Sequence, residues 1–315
     1  MHFVGIEIGG TKLQVVAGNA TGSIVERHRF TVDPASGGAG IRSQIASTLP
    51  PLLHRWHPAA VGVGFGGPVD WGTGRICCSH QIMGWSDFEL GEWLRERTHL
   101  PVAIDNDANT GALGEAHHGS GRGSNPVFYI TLGSGVGGGL VVDGRIYHGA
   151  KPGEAEIGHI RLDRTGTLLE KRCSGWAVDQ RIREAIVLDP HTLLGQLCVR
   201  SPGSEARHLT AALAAHDILA TRLLDETVDD LAFGLSHVVN LLHPEIIILG
   251  GGLALLGEPL RSRVENQLPR YVMDSFQPGP RVALAGLRED SVPVGALELA
   301  KVAMVPGSTG IKNAA

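Results

Sequence analysis

The sequence lacks the features that mark several large protein classes. It has no run of lysine or arginine, and its net charge of −5 with a pI near 6.3 argues against a nucleic-acid surface. Cysteine is scarce, and four in 315 residues do not make a disulfide framework. Cys77 and Cys78 are adjacent, Cys173 and Cys198 are isolated, and all four read as reduced cytosolic thiols. No basic segment opens the chain. Met1 to Glu7 carries an acid within its apolar stretch, so it is not a signal peptide. The most apolar window, Val238 to Gly257, is interrupted by Asn240, His243, Pro244 and Glu245 and does not span a membrane. A Gly-x4-Gly-Lys-Ser/Thr phosphate loop is also missing. A cytoplasmic protein with no nucleic-acid or membrane partner is what remains.

Hydrophobic content of 43 % and charged content of 19 % fit a globular chain with a large core, and 315 residues suggest two domains or lobes. The 44 glycines cluster, and their clusters carry the information. Phe3 to Ile8 reads as a strand broken by Gly9-Gly10-Thr11-Lys12, after which Leu13 to Gly18 resumes strand character and Asn19 to Gly22 turns. Val127 to Leu132 repeats the plan. It is followed by Gly133-Ser134-Gly135-Val136-Gly137-Gly138-Gly139, a further strand Leu140 to Val142, and a primed-type turn at Asp143-Gly144. Such glycine turns are either plain hairpin turns or backbone nests for phosphate. Two of them, in two halves, suggest a duplicated architecture with a phosphate turn in each half. The second is no dinucleotide fingerprint, because a strand follows it where a helix would be needed.

Other segments fall between and beyond the two turns. Ile41 to His54 and Phe88 to Thr98 have helical spacing, the latter with Leu90, Trp93 and Leu94 inward, and Val61 to Phe65 is a buried strand followed by a turn at Gly66 to Asp70. Trp176 to Leu188, Leu209 to Leu242 and Val292 to Met304 read as helices, Ile246 to Leu249 as a strand before Gly250 to Gly252, and Pro306 to Ala315 as a loose tail. Gly119 to Pro126, dense in glycine and serine, reads as a loop or hinge.

The stretch Val102-Ala103-Ile104-Asp105-Asn106-Asp107-Ala108-Asn109 is a short buried strand ending in small polar residues, with a helix from Thr110 to His117 after it. Ligands of open α/β sheets sit beyond the carboxyl ends of strands. Asp107 is therefore placed to take a proton from a hydroxyl, as phosphoryl transfer to an alcohol requires. The alternative is that Asp105, Asn106 and Asp107 only cap the helix, the reading preferred for Asp105. Glu156-Ile157-Gly158-His159 has the Glu-x-x-His spacing of half a di-metal site. The same spacing recurs at Glu96/His99, Glu115/His118 and Glu205/His208, so hydrogen bonding to a polyol is the better reading.

These residues together resemble the ROK proteins (repressor, open reading frame, kinase), sugar kinases of the actin and hexokinase superfamily. The resemblance rests on Ile6 to Lys12, Gly67-Pro68-Val69-Asp70, Gly84-Trp85, Asn106 to Asn109, Gly133 to Gly139, Glu156 to His159, Asn240-Leu241-Leu242-His243-Pro244-Glu245 and Leu249 to Gly252, in that order, and runs on to Gly295-Ala296. It implies an α/β, two-lobed actin-like ATPase (ribonuclease H-like) fold, duplicated, with the ligand cleft between lobes. Residues 1–118 plus 293–315 would form the smaller lobe and 119–292 the larger. It further implies ATP with Mg²⁺, the phosphates lying on Gly9, Gly10, Thr11 and Lys12 and on Gly133, Ser134, Gly135 and Gly137, with Gly250 and Gly251 near the nucleotide. The sugar ligands map onto Gly67, Asn106, Asp107, Glu156, His159 and Glu170, with Asp107 as general base. Glu170 is placed by its distance to Ser174-Gly175. Glu7 stands where many members carry Asp and would act near Mg²⁺ through water.

Besides Glu7, three further departures from the family pattern stand out. The Cys-x-Cys-Gly-x2-Gly-Cys zinc knuckle of many members is replaced by Arg161 to Leu168, without a cysteine, so no zinc site is expected, since His159 and Cys173 cannot supply about four N/S ligands. Gly66 stands where proline is common, and Ser134 replaces threonine. The implied activity is phosphorylation of a hexose hydroxyl at C6, glucokinase-like, from ATP or polyphosphate, with the lobes closing to exclude water. Glucose is the first candidate, before N-acetylmannosamine, N-acetylglucosamine, mannose, fructose and allose. A homodimer is the usual state of relatives. The alternatives are a non-catalytic sugar-sensing regulator, or an N-acetylhexosamine or fructose kinase. Family regulators carry an extra N-terminal helix-turn-helix, and a chain that opens directly on the glycine turn fits the kinase branch.

Overall fold

The computed structural model describes residues 1–79, 82–151 and 155–305, so the expected tail at 306–315 and Glu154 lie outside the described residues. The strands are β1 (His2–Ile8), β2 (Lys12–Asn19), β3 (Ile24–Thr31), β4 (Val61–Phe65), β5 (Val69–Asp70), β6 (Arg75–Ile76), β7 (Val102–Asn106), β8 (Val127–Leu132), β9 (Val136–Val142), β10 (Arg145–Ile146), β11 (Ile246–Gly250) and β12 (Arg281–Leu284). The helices are α1 (Gly37–Trp56), α2 (Leu90–Thr98), α3 (Asp107–His118), α4 (Glu170–Cys173), α5 (Gly175–Leu188), α6 (Leu193–Arg200), α7 (Leu209–Ala214), α8 (Ile218–Leu242), α9 (Glu258–Gln267) and α10 (Ser291–Ala303). Among the described residues no helix is long and apolar enough to cross a membrane.

Two five-stranded sheets share one plan, with orders β3-β2-β1-β4-β7 and β10-β9-β8-β11-β12. In the first, β1 pairs antiparallel with β2 and parallel with β4. In the second, β11 lies parallel to β8 and β12. The duplication expected from the two glycine turns is thus present in the strand order itself. The Asp143-Gly144 turn joins β9 to β10 with φ of 51° and 71°, the two positive values a primed turn needs.

The chain divides into two compact units, 1–123 with 139–155 and 289–315, and 124–138 with 156–288. Segment 139–155 joins the first unit because Gly139 meets α3, where a Cβ would lie 2.7 Å from Ala108 O, and because His148 binds Asp105. Within this unit the strands alternate by face. Val4, Ile6, Ile8, Val61, Val63 and Phe65 pack in a core with Ile41, Ile45, Leu49, Leu90 and Leu94. Phe3, Val16 and Ala60 point the other way, against Leu297 and Ala300 of α10. The second face also carries glycines that let α10 lie close. A Cβ on Gly62 would sit 1.9 Å from Ala296 O.

Three helix expectations change, the first being α1, which begins at Gly37, four residues ahead of Ile41. The helix after β7 starts at Asp107, three residues ahead of Thr110, because Asn106 caps it. Leu209 to Leu242 is two helices, broken where His216 takes φ of 58° and Asp217 accepts from Ala220 N as the cap of α8.

Candidate functional site

The first glycine turn closes where Gly9 N donates to Lys12 O at 2.9 Å. Glu7, one residue inside β1, is buried, and burial pushes its carboxyl up against the opposing pull of Lys12 and Gln14. Lys12 Nζ lies 3.0 Å from Oε1, and Gln14 Nε2 donates to Oε2 at 2.6 Å. Gln14 is fully buried, and its Oε1 accepts from Arg27 and Arg29. Sequence reasoning missed Gln14, although a lone amide inside an apolar strand, in register with Glu7, is a readable signal.

At the tip of β7 the three polar residues have three separate jobs. Asn106 is the cap. Its Oδ1 accepts from Ala108 N at 2.8 Å and Asn109 N at 3.3 Å, and its Nδ2 donates to Gly67 O at 3.3 Å. Asp105, expected to cap, is instead buried under α3. It accepts from Asn106 N and Asn109 Nδ2, and its Oδ2 lies 2.5 Å from His148 Nε2. His148 in turn stacks on Trp71 at 4.2 Å, while Lys151 bridges to Asp70 at 2.7 Å. No local signal pairs a histidine with an acid 43 positions away.

Asp107 opens α3 half-exposed, its carboxylate at the positive end of the helix. A Cβ on Gly66 would lie 3.3 Å from Asp107 Oδ2, 3.3 Å from Ile8 O and 3.5 Å from Gly9 Cα. The fold therefore brings Asp107, Gly66 and the first glycine turn together at the carboxyl ends of β7, β4 and β1. Gly66 N donates to Ile8 O at 2.8 Å, a bond that proline could not make.

The second unit holds the other candidates. Gly133 N donates to Gly135 O at 2.9 Å, Gly175 N to Gly133 O at 2.8 Å, and Val136 N to Glu170 Oε2 at 2.9 Å. Ile157–His159 forms a single tight turn, and His159 Nδ1 lies 3.2 Å from Glu156 Oε2, with both side chains open to solvent. A cavity of about 470 Å³ is lined by Ser134, Glu170, Ser174, Trp176, Gln180 and Arg181, among others. At Gly250 the space for a side chain is filled by Tyr129 Oη, 2.2 Å from a Cβ, and at Gly251 by the backbone of Leu132. A Cβ on Gly133 or Gly252 would meet nothing within 4 Å.

A model of the ROK family matches residues 3–303. The chain belongs to the ROK family. It is 32 % identical over 308 residues to the glucokinase of Halalkalibacterium halodurans, covering 93 % of each. Its fold matches the ROK glucokinase of Streptomyces griseus, solved with glucose and AMPPNP, at a TM-score of 0.83, 28 % identity and 96 % and 99 % coverage. The ROK hexokinase of Thermus thermophilus gives 0.78 at 27 % identity, covering 96 % and 98 %.

Where many ROK proteins carry a zinc knuckle, this one folds a short hairpin. Leu169 N donates to Ile160 O and Leu162 N to Thr167 O, and Asp163 Oδ1 accepts from Thr165 N, Thr165 Oγ1, Gly166 N and Thr167 N. Hydrogen bonds from Thr167 and Thr165 hold the Asp163 carboxyl well below the usual range. The hairpin sets His159 and Glu170 at its two ends. Cys173 is buried with Sγ donating to Thr227 O at 3.5 Å, and burial raises its thiol. Among the described residues no three His, Cys, Asp or Glu side chains converge on a metal position.

Proposed function

We propose that this ROK protein is an ATP-dependent sugar kinase that phosphorylates the C6 hydroxyl of a hexose, with Asp107 as general base. The observation that carries the reading is the carboxylate of Asp107, at the start of α3 and beside the turn at Gly9. The relatives named glucokinase support it. In this reading Gly67, Asn106, Glu156, His159 and Glu170 hold the sugar, while Asp107 takes the proton as the hydroxyl oxygen attacks in line. Exposed carboxylates and an imidazole suit neutral hydroxyls, which both accept and donate.

Gly9, Gly10, Thr11 and Lys12, with Gly133, Ser134, Gly135 and Gly137, take the phosphates. Gly250 and Gly251 back the nucleotide by packing on Tyr129 and Leu132. The cavity beside Ser134, with the exposed Trp176 indole at its wall, takes the nucleoside. Bound Mg²⁺ would neutralise phosphate charge, and the Glu7 carboxylate, which keeps spare acceptor capacity beside Lys12, fits a hold on it through water.

A coupled assay of ADP release across glucose, N-acetylmannosamine, N-acetylglucosamine, mannose, fructose and allose tests this. Sugar-dependent ADP release, strongest with glucose, and a C6 phosphate by ³¹P NMR are expected. Glucose binding without turnover from either ATP or polyphosphate would make the protein a sugar sensor instead.

A further inference from the structure

We infer that Glu170, beyond its proposed contact with sugar, sets the shape of the second glycine turn, so that nucleotide affinity depends on this carboxylate even when no sugar is present. The inference rests on the kinase reading above. Three hydrogen bonds tie down the backbone at the ends of the Gly133–Val136 turn. Two are backbone bonds, Gly133 N to Gly135 O and Gly175 N to Gly133 O. The third is the bond from Val136 N to Glu170 Oε2 at 2.9 Å, and it runs to a side chain.

The turn is built around that side chain. A Cβ on Gly135 would lie 2.5 Å from Glu170 Oε2, so glycine is what admits the carboxylate. From another side Gly158 packs on the same strand end, where a Cβ would sit 2.2 Å from Val136 O. The segment carrying Glu156 and His159 and the segment carrying Glu170 thus both bear on Val136. Glu170 opens the short α4, and Ser174 N donates to its carbonyl, which places Gly175 to reach Gly133. One carboxylate oxygen is spent on the turn, leaving Oε1 for a sugar hydroxyl. A hydroxyl donating to Oε1 draws charge from Oε2 and loosens or re-aims its bond to Val136, which makes Glu170 a positioning residue linking the two ligands. Such a link is reciprocal: sugar changes nucleotide affinity by the factor with which nucleotide changes sugar affinity.

The experiment is calorimetric titration of Mg·AMPPNP into the whole chain, without sugar and then with saturating glucose. Removing a charged acceptor from a buried N–H costs on the order of tenfold in the equilibrium it supports. Glu170→Ala is therefore expected to weaken AMPPNP about tenfold without sugar and to abolish the effect of glucose on it. Glu170→Gln, nearly isosteric, keeps an acceptor without charge and should fall between. Gly135→Ala, which displaces the carboxylate without altering it, should weaken AMPPNP and glucose together. Melting curves establish that the variants are folded, and Glu170→Gln carries the test if Glu170→Ala is not. If both Glu170 variants bind AMPPNP within about twofold of wild type while glucose binding is lost, the inference is overturned and the kinase reading stands. If the wild-type chain binds no AMPPNP, the kinase reading itself falls, and this inference with it.

Discussion

Helix α10 lies against α3 through two glycines, and Gly295→Ala tests whether that contact positions Asp107. Neither glycine is favoured by helix propensity, since alanine in a helix interior gains about 0.8–1 kcal/mol over glycine. Contact geometry opposes that gain. A Cβ on Gly295 would lie 1.7 Å from Thr110 O and 3.1 Å from Gly114 N. The near atom is a backbone carbonyl oxygen, which cannot swing away, so the helices must part by on the order of 1 Å along the whole contact. Overpacking of this kind costs about 1–3 kcal/mol, and so tight an overlap belongs at the upper end. The net loss is about 2 kcal/mol, or roughly 4–8 °C in melting temperature for a unit of this size. Thr110 sits one turn after Asp107, so the same displacement moves the proposed base, and about 1 Å of misplacement can cost on the order of 10²-fold in kcat. Thermal melting and steady-state kinetics read both effects. Gly252→Ala, where a Cβ meets nothing within 4 Å, is the control for stability and should be near neutral. A Gly295→Ala protein as stable and as active as wild type would refute the reasoning.

Three further outcomes are expected. Asp107→Asn should lower kcat by about 10²- to 10⁴-fold while glucose still binds by calorimetry, and near-normal turnover would remove Asp107 as the base. Because the Asp163 carboxyl is held below its usual range, its contribution is present above 3.8 and is lost only as pH falls through the lower folded-state value. Amide protection factors at Thr165, Gly166 and Thr167 should therefore hold from pH 7 to about pH 4 and collapse in Asp163→Ala at any pH, with early loss in the wild type counting against the hairpin's lock. Finally, Cys77 and Cys78 are part-exposed, whereas Cys173 and Cys198 are buried, the latter thiol pushed up to about 11 by burial first and then by Glu205 and Asp179. A thiol titration of the native chain at about pH 8 should find the first pair fast and the second slow, and rapid labelling of Cys173 would contradict the packing.

The residues that could be read from sequence were those whose partners are near in the chain or fixed by strand register. The repeated plan of strand, glycine turn and strand predicted a duplicated architecture, and the two sheets carry it in their strand order. Asp105, Asn106 and Asp107 could not be told apart in this way. All three residue types suit a helix cap, and only the bend of the chain at the end of β7 gives the task to Asn106 and buries Asp105. His148 found its acid through tertiary packing, and Glu170 found a backbone N–H 34 positions away. The glycine pair between α3 and α10 is likewise silent in sequence, because close approach leaves no periodic trace. The hairpin at 160–169 was visible only as missing cysteines. Its Asp163 anchor uses local bonds that an Asp-x-Thr-Gly-Thr stretch could have suggested.

The way Asn106 is bound has a directional consequence. Both lone-pair positions on its oxygen are committed to the start of α3, and one hydrogen of its amide goes to Gly67, so a single N–H is left to offer. The side chain can give to a newcomer but never receive from it. On the proposed reading, an alcohol oxygen that accepts this hydrogen has its own proton turned elsewhere, and the neighbouring carboxylate at 107 can take it. An aspartate at 106 would reverse that polarity, setting two anions side by side where the acceptor needs one of each sense.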